Sequence, residues 1–424
     1  MIEANNPKLK SWIAVEKDSD FPIQNIPFGI GKPQNKSPRP LSRIGDFAID
    51  LSVLSDYGFF DNLKIENYGV FYAPVLNELL ELGKPLWKSL RERISEIFRE
   101  ENAQLRDDDI IRKEAIIPMQ NVVMMMPVEV GDYTDFYSSI EHATNVGAMF
   151  RDPNNALLPN WKHIPVGYHG RSSSIVVSGT NIHRPKGQYK LDTEENPQFG
   201  PCRLFDFELE MAFITGTKTN LGESIHVKDA EDHIFGLVLF NDLTARDIQK
   251  WEYVPLGPFL GKNFGSVVSP WVITLEALEP FRTEGPVQEP KVLPYLQFKG
   301  PRNFNVNLEV YLQPENSEES LVCRSNLKYL YWNMSQQLAH HTVNGCNINS
   351  GDMYGSGTIS GPTPDSYGSM LELSWKGTKT IKLKDGSERK FVADNDTIIM
   401  KGFATKDGVR IGFGNCSTKV LPAL

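Results

Sequence analysis

The chain has 424 residues, 40% of them hydrophobic and 23% charged, and a formal net charge of −9. This composition is that of a globular protein, not a disordered one, and the length suits roughly two to three domains. Acidic side chains outnumber basic ones by 53 to 44, which argues against a nucleic-acid partner, since that needs a basic face to meet phosphates. Apolar runs such as Ile234 to Phe240 fall well short of the about 20 residues of a membrane helix. Met1 to Lys10 has no apolar signal core, and Cys202, Cys323, Cys346 and Cys416 lack disulfide-framework or metal-ligand spacing. A cytoplasmic (cytosolic) protein with no membrane partner is therefore expected.

The 33 glycines and 28 prolines predict many turns and short strands. Strands are expected over Ser11 to Glu16 and Gly45 to Leu54, flanking a Pro-rich loop at Lys32 to Pro40. A helical region follows over Asn77 to Arg112. Residues 1–124 read as a small β-unit with an appended helix. The apolar run Val122 to Val128 begins a larger, mostly β unit, residues 125–424. In it, Phe304, Val306, Leu308, Val310 and Leu312 alternate as in a half-buried strand. Thr380 to Lys384 and Lys390 to Met400 flank an Asp385-Gly386 turn and predict a hairpin. Helices are predicted over Leu243 to Tyr253 and Leu327 to His341, and long loops over His183 to Pro201 and Glu279 to Arg302.

There is no HExxH, GxSxG, Walker loop or GxGxxG after a strand, which removes zinc proteases, common serine hydrolases, P-loop NTPases and Rossmann dehydrogenases. What remains is a set of carboxylates and polar groups. In a strand over Phe205 to Phe213, Asp206, Glu208 and Glu210 share one face and the aromatic and apolar residues the other. Carboxylates at i and i+2 are about 6.6 Å apart, close enough to share one cation, and oxygen ligands suit Ca²⁺ or Mg²⁺. A solvated acidic face is the alternative. Asp242 ends the apolar run from Ile234, as a metal ligand or a helix cap, and Thr244 to Asp247 fits an acidic capping box. Beyond it, Arg246, Gln249 and Tyr253 fall on one helix face. They face either an anionic substrate or solvent.

Ser138 to Glu141 reads as a second capping box, placing His142 in the first turn of a helix, where the dipole favours an uncharged imidazole fit to act as a general base. Asp135 lies just before it as a further candidate ligand. The glycine-rich stretch Gly257 to Ser266 could offer backbone N–H groups and Lys262 to an oxyanion. In a strand over Met370 to Trp375, Glu372 could orient a histidine or a water, and Gly355 to Gly361 is a small-residue loop suited to close approach of a ligand. The alternatives are a packed or surface histidine for His142, a surface strand residue for Glu372 and an ordinary turn for each of the two loops.

Long stretches, among them GDYTDFYSS, HATNVG, PVGYHGR, ELEMAF, ARDIQ, WEYVPLGPFLGK, VNGCN, SGTISG and SMLELSWKGTK, closely resemble the fumarylacetoacetate hydrolase family in its full-length two-domain type. The resemblance runs from about residue 17 to the C-terminus. It implies a mainly β fold, with a small N-terminal SH3-like barrel, a large C-terminal β-roll and assembly as a homodimer. It implies hydrolysis of 4-fumarylacetoacetate to fumarate and acetoacetate, the last step of tyrosine and phenylalanine catabolism. Carried over by residue, Asp135, Glu208, Glu210 and Asp242 would bind Ca²⁺ or Mg²⁺. His142 would be the base, positioned with Glu372, and Arg246, Gln249 and Lys262 the oxyanion site. Tyr137, Arg151, Tyr168, Gln249, Tyr253 and Thr358 would hold the substrate. Asp242, Lys262, Gly265 and Ser266 would line a second, structural cation site, with Ser266 in place of the expected threonine.

Overall fold

The computed structural model describes residues 2–424. Its backbone is one 13-stranded sheet, one five-stranded sheet and several two-stranded pairs, with short helices around them. The N-terminal strands Phe28–Pro33, Arg39–Ile44, Phe47–Asp50 and Ile116–Pro118 are hydrogen-bonded neighbours, and the first of them pairs with Trp271–Thr274, far along the chain. The expected SH3-like barrel is not found: among the described residues no sheet closes, and these strands run on into the large sheet instead.

Packing follows the same continuity. Phe28 and Trp87 from the N-terminal part both lie edge-on to Phe235, at ring-centroid distances of 5.6 and 5.1 Å. One apolar core therefore contains N-terminal residues together with residues of the larger sheet such as Phe235, Val272 and Met353. The mainly β reading holds, while several local expectations are corrected. Ser11 to Glu16 forms no strand, because Trp12 stacks on Phe98 at 5.2 Å and its indole donates to the Ile97 carbonyl. The strand at Gly45 to Leu54 is limited to Phe47–Asp50, since Asp50 accepts from Ser52 N and caps the helix Leu51–Asp56. The helical region divides into Asn77–Glu81, Lys84–Phe98, Ala103–Arg106 and Asp109–Ala115. Gly83 at φ +83 separates the first two, and Asn102 and Asp108 cap the others.

In the five-stranded sheet the expected alternation appears: Leu308, Val310 and Leu312 of Asn307–Gln313 are buried. Gly386 turns a hairpin, but its arms are only Ile381–Lys382 and Glu388–Arg389; Thr397–Lys406 joins the five-stranded sheet. The helix expected over Leu327 to His341 is a short turn, Leu327–Tyr329, followed by Met334–Thr342, whose capping box is Asn333 with Gln336.

The strand register assembles the site. Gly355 pairs with Ala212 on one side and with Asp135 on the other, and Asp135 in turn pairs with Tyr168. Glu210 lies opposite Phe240 and Asp242 opposite Ser266. Three carboxylates separated in sequence thus meet at one place in a continuous sheet.

Candidate active site

The alternation over Phe205 to Phe213 is real, but the acidic face is not solvated. It forms as two strands, Phe205–Asp206 and Leu209–Thr215, and Asp206, Glu208 and Glu210 are all buried. Met211 and Phe213 pack into one apolar core and Ala212 and Ile214 into another, so water is excluded from both sides. Only a cavity opens here, of about 720 Å³.

One wall of that cavity is acidic. Oxygens of Asp135, Glu210 and Asp242 all lie within 4.8 Å of one another. Asp135 Oδ1 and Glu210 Oε1 are buried without a hydrogen-bond partner. Burial first, and then repulsion from neighbouring carboxylates, pushes Asp135 and Glu210 well above the usual carboxylate range. Burial also raises Asp242, against the pull of Lys262. Asp242 is not a helix cap: it accepts from Lys262 Nζ, and from Ser266 Oγ at 2.9 Å. Glu208 turns away from the triad, to Lys262 and, at 2.7 Å, to Arg246. Burial opposes ionisation there, but the two cations hold Glu208 below the usual range. Of the second cation set, Asp242 meets both Lys262 and Ser266.

The opposite wall carries the histidine. Ser139, one residue later than expected, caps Ile140–Phe150 by accepting from His142 N, while Ser138 is engaged by Gln337. His142 Nδ1 lies 2.6 Å from Glu372 Oε2. An ionised carboxylate can only accept, so Nδ1 carries a proton, and in the uncharged ring Nε2 is then the acceptor. Glu372 is not on a strand. Ser369 caps a one-turn helix, Met370–Leu373, and also donates to the Glu372 carboxylate, as do Asn145 at 2.9 Å and Ser360 at 2.8 and 3.0 Å. Burial alone would raise Glu372, but His142 and these donors hold it below the usual range. Asn145, Ser360 and Ser369 were not singled out in the sequence. The local signals are Asn145 one turn after His142, Ser369 three residues before Glu372, and Ser360 within the small-residue loop Gly355 to Gly361.

Between the walls lie the donors. Arg246 and Gln249 project from the helix Arg246–Glu252, which starts late because Thr244–Ala245 pairs with Phe205–Asp206. The Thr244 to Asp247 capping box does not form, and Asp247 instead accepts from Cys202 Sγ and Arg203 N. Two N–H groups of the glycine-rich loop, those of Phe259 and Gly261, donate to Glu252 instead of to the cavity. From this loop Pro258 and Lys262 line the cavity. Tyr137, Arg151, Tyr168, Tyr253 and Thr358 line the same cavity, with Lys250 beside them. Tyr137 lies edge-on to His142 at 5.1 Å, and the Arg151 guanidinium donates to Ala156 O at 2.8 Å.

Two family models match the chain: one described as fumarylacetoacetase N-terminal, over residues 24–127, and one as fumarylacetoacetate (FAA) hydrolase C-terminal, over residues 133–421. The chain is 56% identical over 421 residues to the fumarylacetoacetase of Dictyostelium discoideum, covering 98% of each. It is 54% identical over 417 residues to that of Homo sapiens, covering 98% of this chain and 99% of the relative. This chain belongs to the fumarylacetoacetase family. It is an enzyme of that hydrolase family. The fold is shared with a fumarylacetoacetate hydrolase from psychrophilic Exiguobacterium antarcticum, with TM-score 0.51 at 17% identity over 94% of this chain and 99% of that one.

The acidic wall of this fumarylacetoacetase-family site fits a hard divalent cation. Its donors are all oxygen, two of them have no other partner, and carboxylates clustered in the interior are strongly disfavoured without positive charge. Gly355 leaves the room: a Cβ there would meet Glu210 Oε2 at 2.9 Å and Asp135 Oδ1 at 3.1 Å.

Proposed function

We propose that this chain is a metal-dependent hydrolase that cleaves the carbon–carbon bond of 4-fumarylacetoacetate to fumarate and acetoacetate, closing tyrosine and phenylalanine catabolism. The observation that supports it most is the His142–Glu372 pair set in one cavity with a buried carboxylate triad and the donors Arg246, Gln249 and Lys262. Asp135, Glu210 and Asp242 would hold Ca²⁺ or Mg²⁺, with Glu208 as the fourth ligand by turning from Lys262 and Arg246, and the ion would supply Lewis-acid stabilisation of negative charge. Asp242, Lys262, Gly265 and Ser266 would line the second cation site through loop oxygens.

His142 Nε2 takes a proton from water while Glu372 keeps Nδ1 protonated and stabilises the imidazolium that forms. The hydroxide oxygen bonds to the carbonyl carbon of the fumaroyl group. Arg246, Gln249 and Lys262 receive the oxyanion, and each such donor is worth roughly 10²- to 10³-fold in kcat. The bond to the acetoacetate carbon then breaks, its electron pair leaves as an enolate, and His142 returns the proton to that carbon. Water's oxygen ends in the fumarate carboxylate. Tyr137, Arg151, Tyr168, Gln249, Tyr253 and Thr358 hold the substrate, whose two carboxylates call for cationic and hydroxyl partners in an acidic protein.

Residues 1–124 and 125–424 are the two units of this reading, which also takes the enzyme to be a cytosolic homodimer. No helix among the described residues is long and apolar enough to cross a membrane. The test is loss of the diketone absorbance of fumarylacetoacetate, with and without a chelator, for the wild type and His142→Ala. Fast loss, stopped by chelation and by the substitution, is expected. Turnover of an acylpyruvate in preference would replace the substrate, and no turnover with metal supplied would remove the activity.

A further inference from the structure

Asp206 is a fully buried carboxylate that the mechanism above does not use. It lies in the strand Phe205–Asp206, opposite Thr244, directly before the helix that carries Arg246. Its Oδ2 accepts from Arg246 Nε at 2.8 Å and from Leu371 N at 3.1 Å, and its Oδ1 accepts from Met370 N at 2.7 Å. Met370 and Leu371 are the first two residues of the one-turn helix that presents Glu372. The first N–H groups of a helix have no partner within it. Ser369 satisfies that of Glu372, and Asp206 satisfies the two before it. One carboxylate therefore caps the turn that holds the base-orienting Glu372 and, with its other lone pairs, grips the guanidinium of the oxyanion donor.

An isolated turn of four residues is unstable by itself, so its orientation depends on what holds its N-terminal N–H groups. Arg246 has a flexible stem, and the same contact fixes the plane of its fork. We propose that Asp206 is a positioning residue that locks Arg246 and the His142–Glu372 pair into one rigid unit, so that oxyanion donor and general base keep a fixed mutual geometry. The proposal rests on the function read above. Asp206 does not line the cavity; it acts through two residues at once.

The experiment is a pair of double-mutant cycles on the metal-loaded full chain, joining Asp206→Asn to Glu372→Gln and to Arg246→Ala. Asparagine keeps the size but cannot accept all three hydrogen bonds. Alone, it is expected to lower kcat by roughly 10- to 100-fold, with KM within about twofold, because interactions specific to the transition state are the ones disturbed. In either background the further loss shrinks to about threefold or less. Equal loss in either background, or an unchanged kcat for Asp206→Asn, overturns the proposal: a merely structural role adds independently. If Asp206→Asn does not fold, Asp206→Glu, which keeps the charge and moves the carboxylate by one methylene, must lower kcat and show the same coupling, and additive behaviour overturns the proposal equally. His142→Ala in the same assay separates the two levels. Full turnover by it overturns the functional reading and the proposal together, whereas its loss with additive cycles overturns the proposal alone.

Discussion

The two walls of the cavity use the same kind of side chain in opposite states. Glu372 is buried and ionised, surrounded by His142, Asn145, Ser360 and Ser369. Asp135 and Glu210 are equally buried, yet each has an oxygen without a partner and each is driven toward its neutral form. Burial penalises both sets alike, so the difference lies in the donors. A carboxylate supplied with hydrogen bonds is a finished part that holds the imidazole in one orientation. Carboxylates left facing one another are stable as anions only when a cation joins them.

That contrast can be broken most forcefully at its finished side. Glu372→Gln places an amide opposite His142 Nδ1, where an N–H donor favours the wrong imidazole tautomer. A fall in kcat of roughly 10²- to 10⁴-fold is expected, measured by diketone loss with metal saturating. At the other wall, Glu210→Gln removes one charge from the triad. Affinity for Ca²⁺ or Mg²⁺ in titration calorimetry should fall by roughly 10- to 100-fold or more, while the thermal midpoint of the chelated protein stays level or rises. A lower midpoint without metal would mean that the triad is already satisfied by protein groups. Asn145→Ala deletes one donor to Glu372 and leaves the triad alone. A fall in kcat of roughly 10- to 100-fold is expected, since a hydrogen bond to a charged group is worth roughly 1.5–3 kcal/mol, with unchanged metal affinity. The smallest effect is in packing: Gly355→Ala presses on Glu210 and Asp135 and should cost about 1–3 kcal/mol of stability in denaturant melts. It should also weaken metal binding more than it slows turnover at saturating metal.

Much of the site was legible because its residues sit in local patterns. The i, i+2 spacing of Asp206, Glu208 and Glu210 put them on one face. The cap before His142 placed it in a first helical turn, displaced by only one residue from Ser138 to Ser139. The resemblance supplied Glu372 with its partner even though its strand proved to be a capped turn. What was missed depends on contacts across the chain. Asn145, 227 residues from Glu372, and Asp206, 164 residues from Met370, have nothing nearby that reveals their partners. The glycine-rich loop misled in the opposite sense, because a distant-facing motif was claimed locally by Glu252.

By itself the sequence determined the acidic, water-compatible composition, the family, the alternation of strands such as Asn307–Gln313 and the kinds of side chain available for chemistry. These depend on residue type and short spacing, which the chain carries directly. The tertiary structure alone decided that the N-terminal strands continue the large sheet instead of closing a barrel. It also decided that the acidic face of Glu208 and Glu210 lies between two apolar cores, and that Asp206 joins two turns of the site. Burial and long-range hydrogen bonding arise only when distant segments pack, and they determine whether a carboxylate is a wet surface group, an orienting partner or part of a cation site.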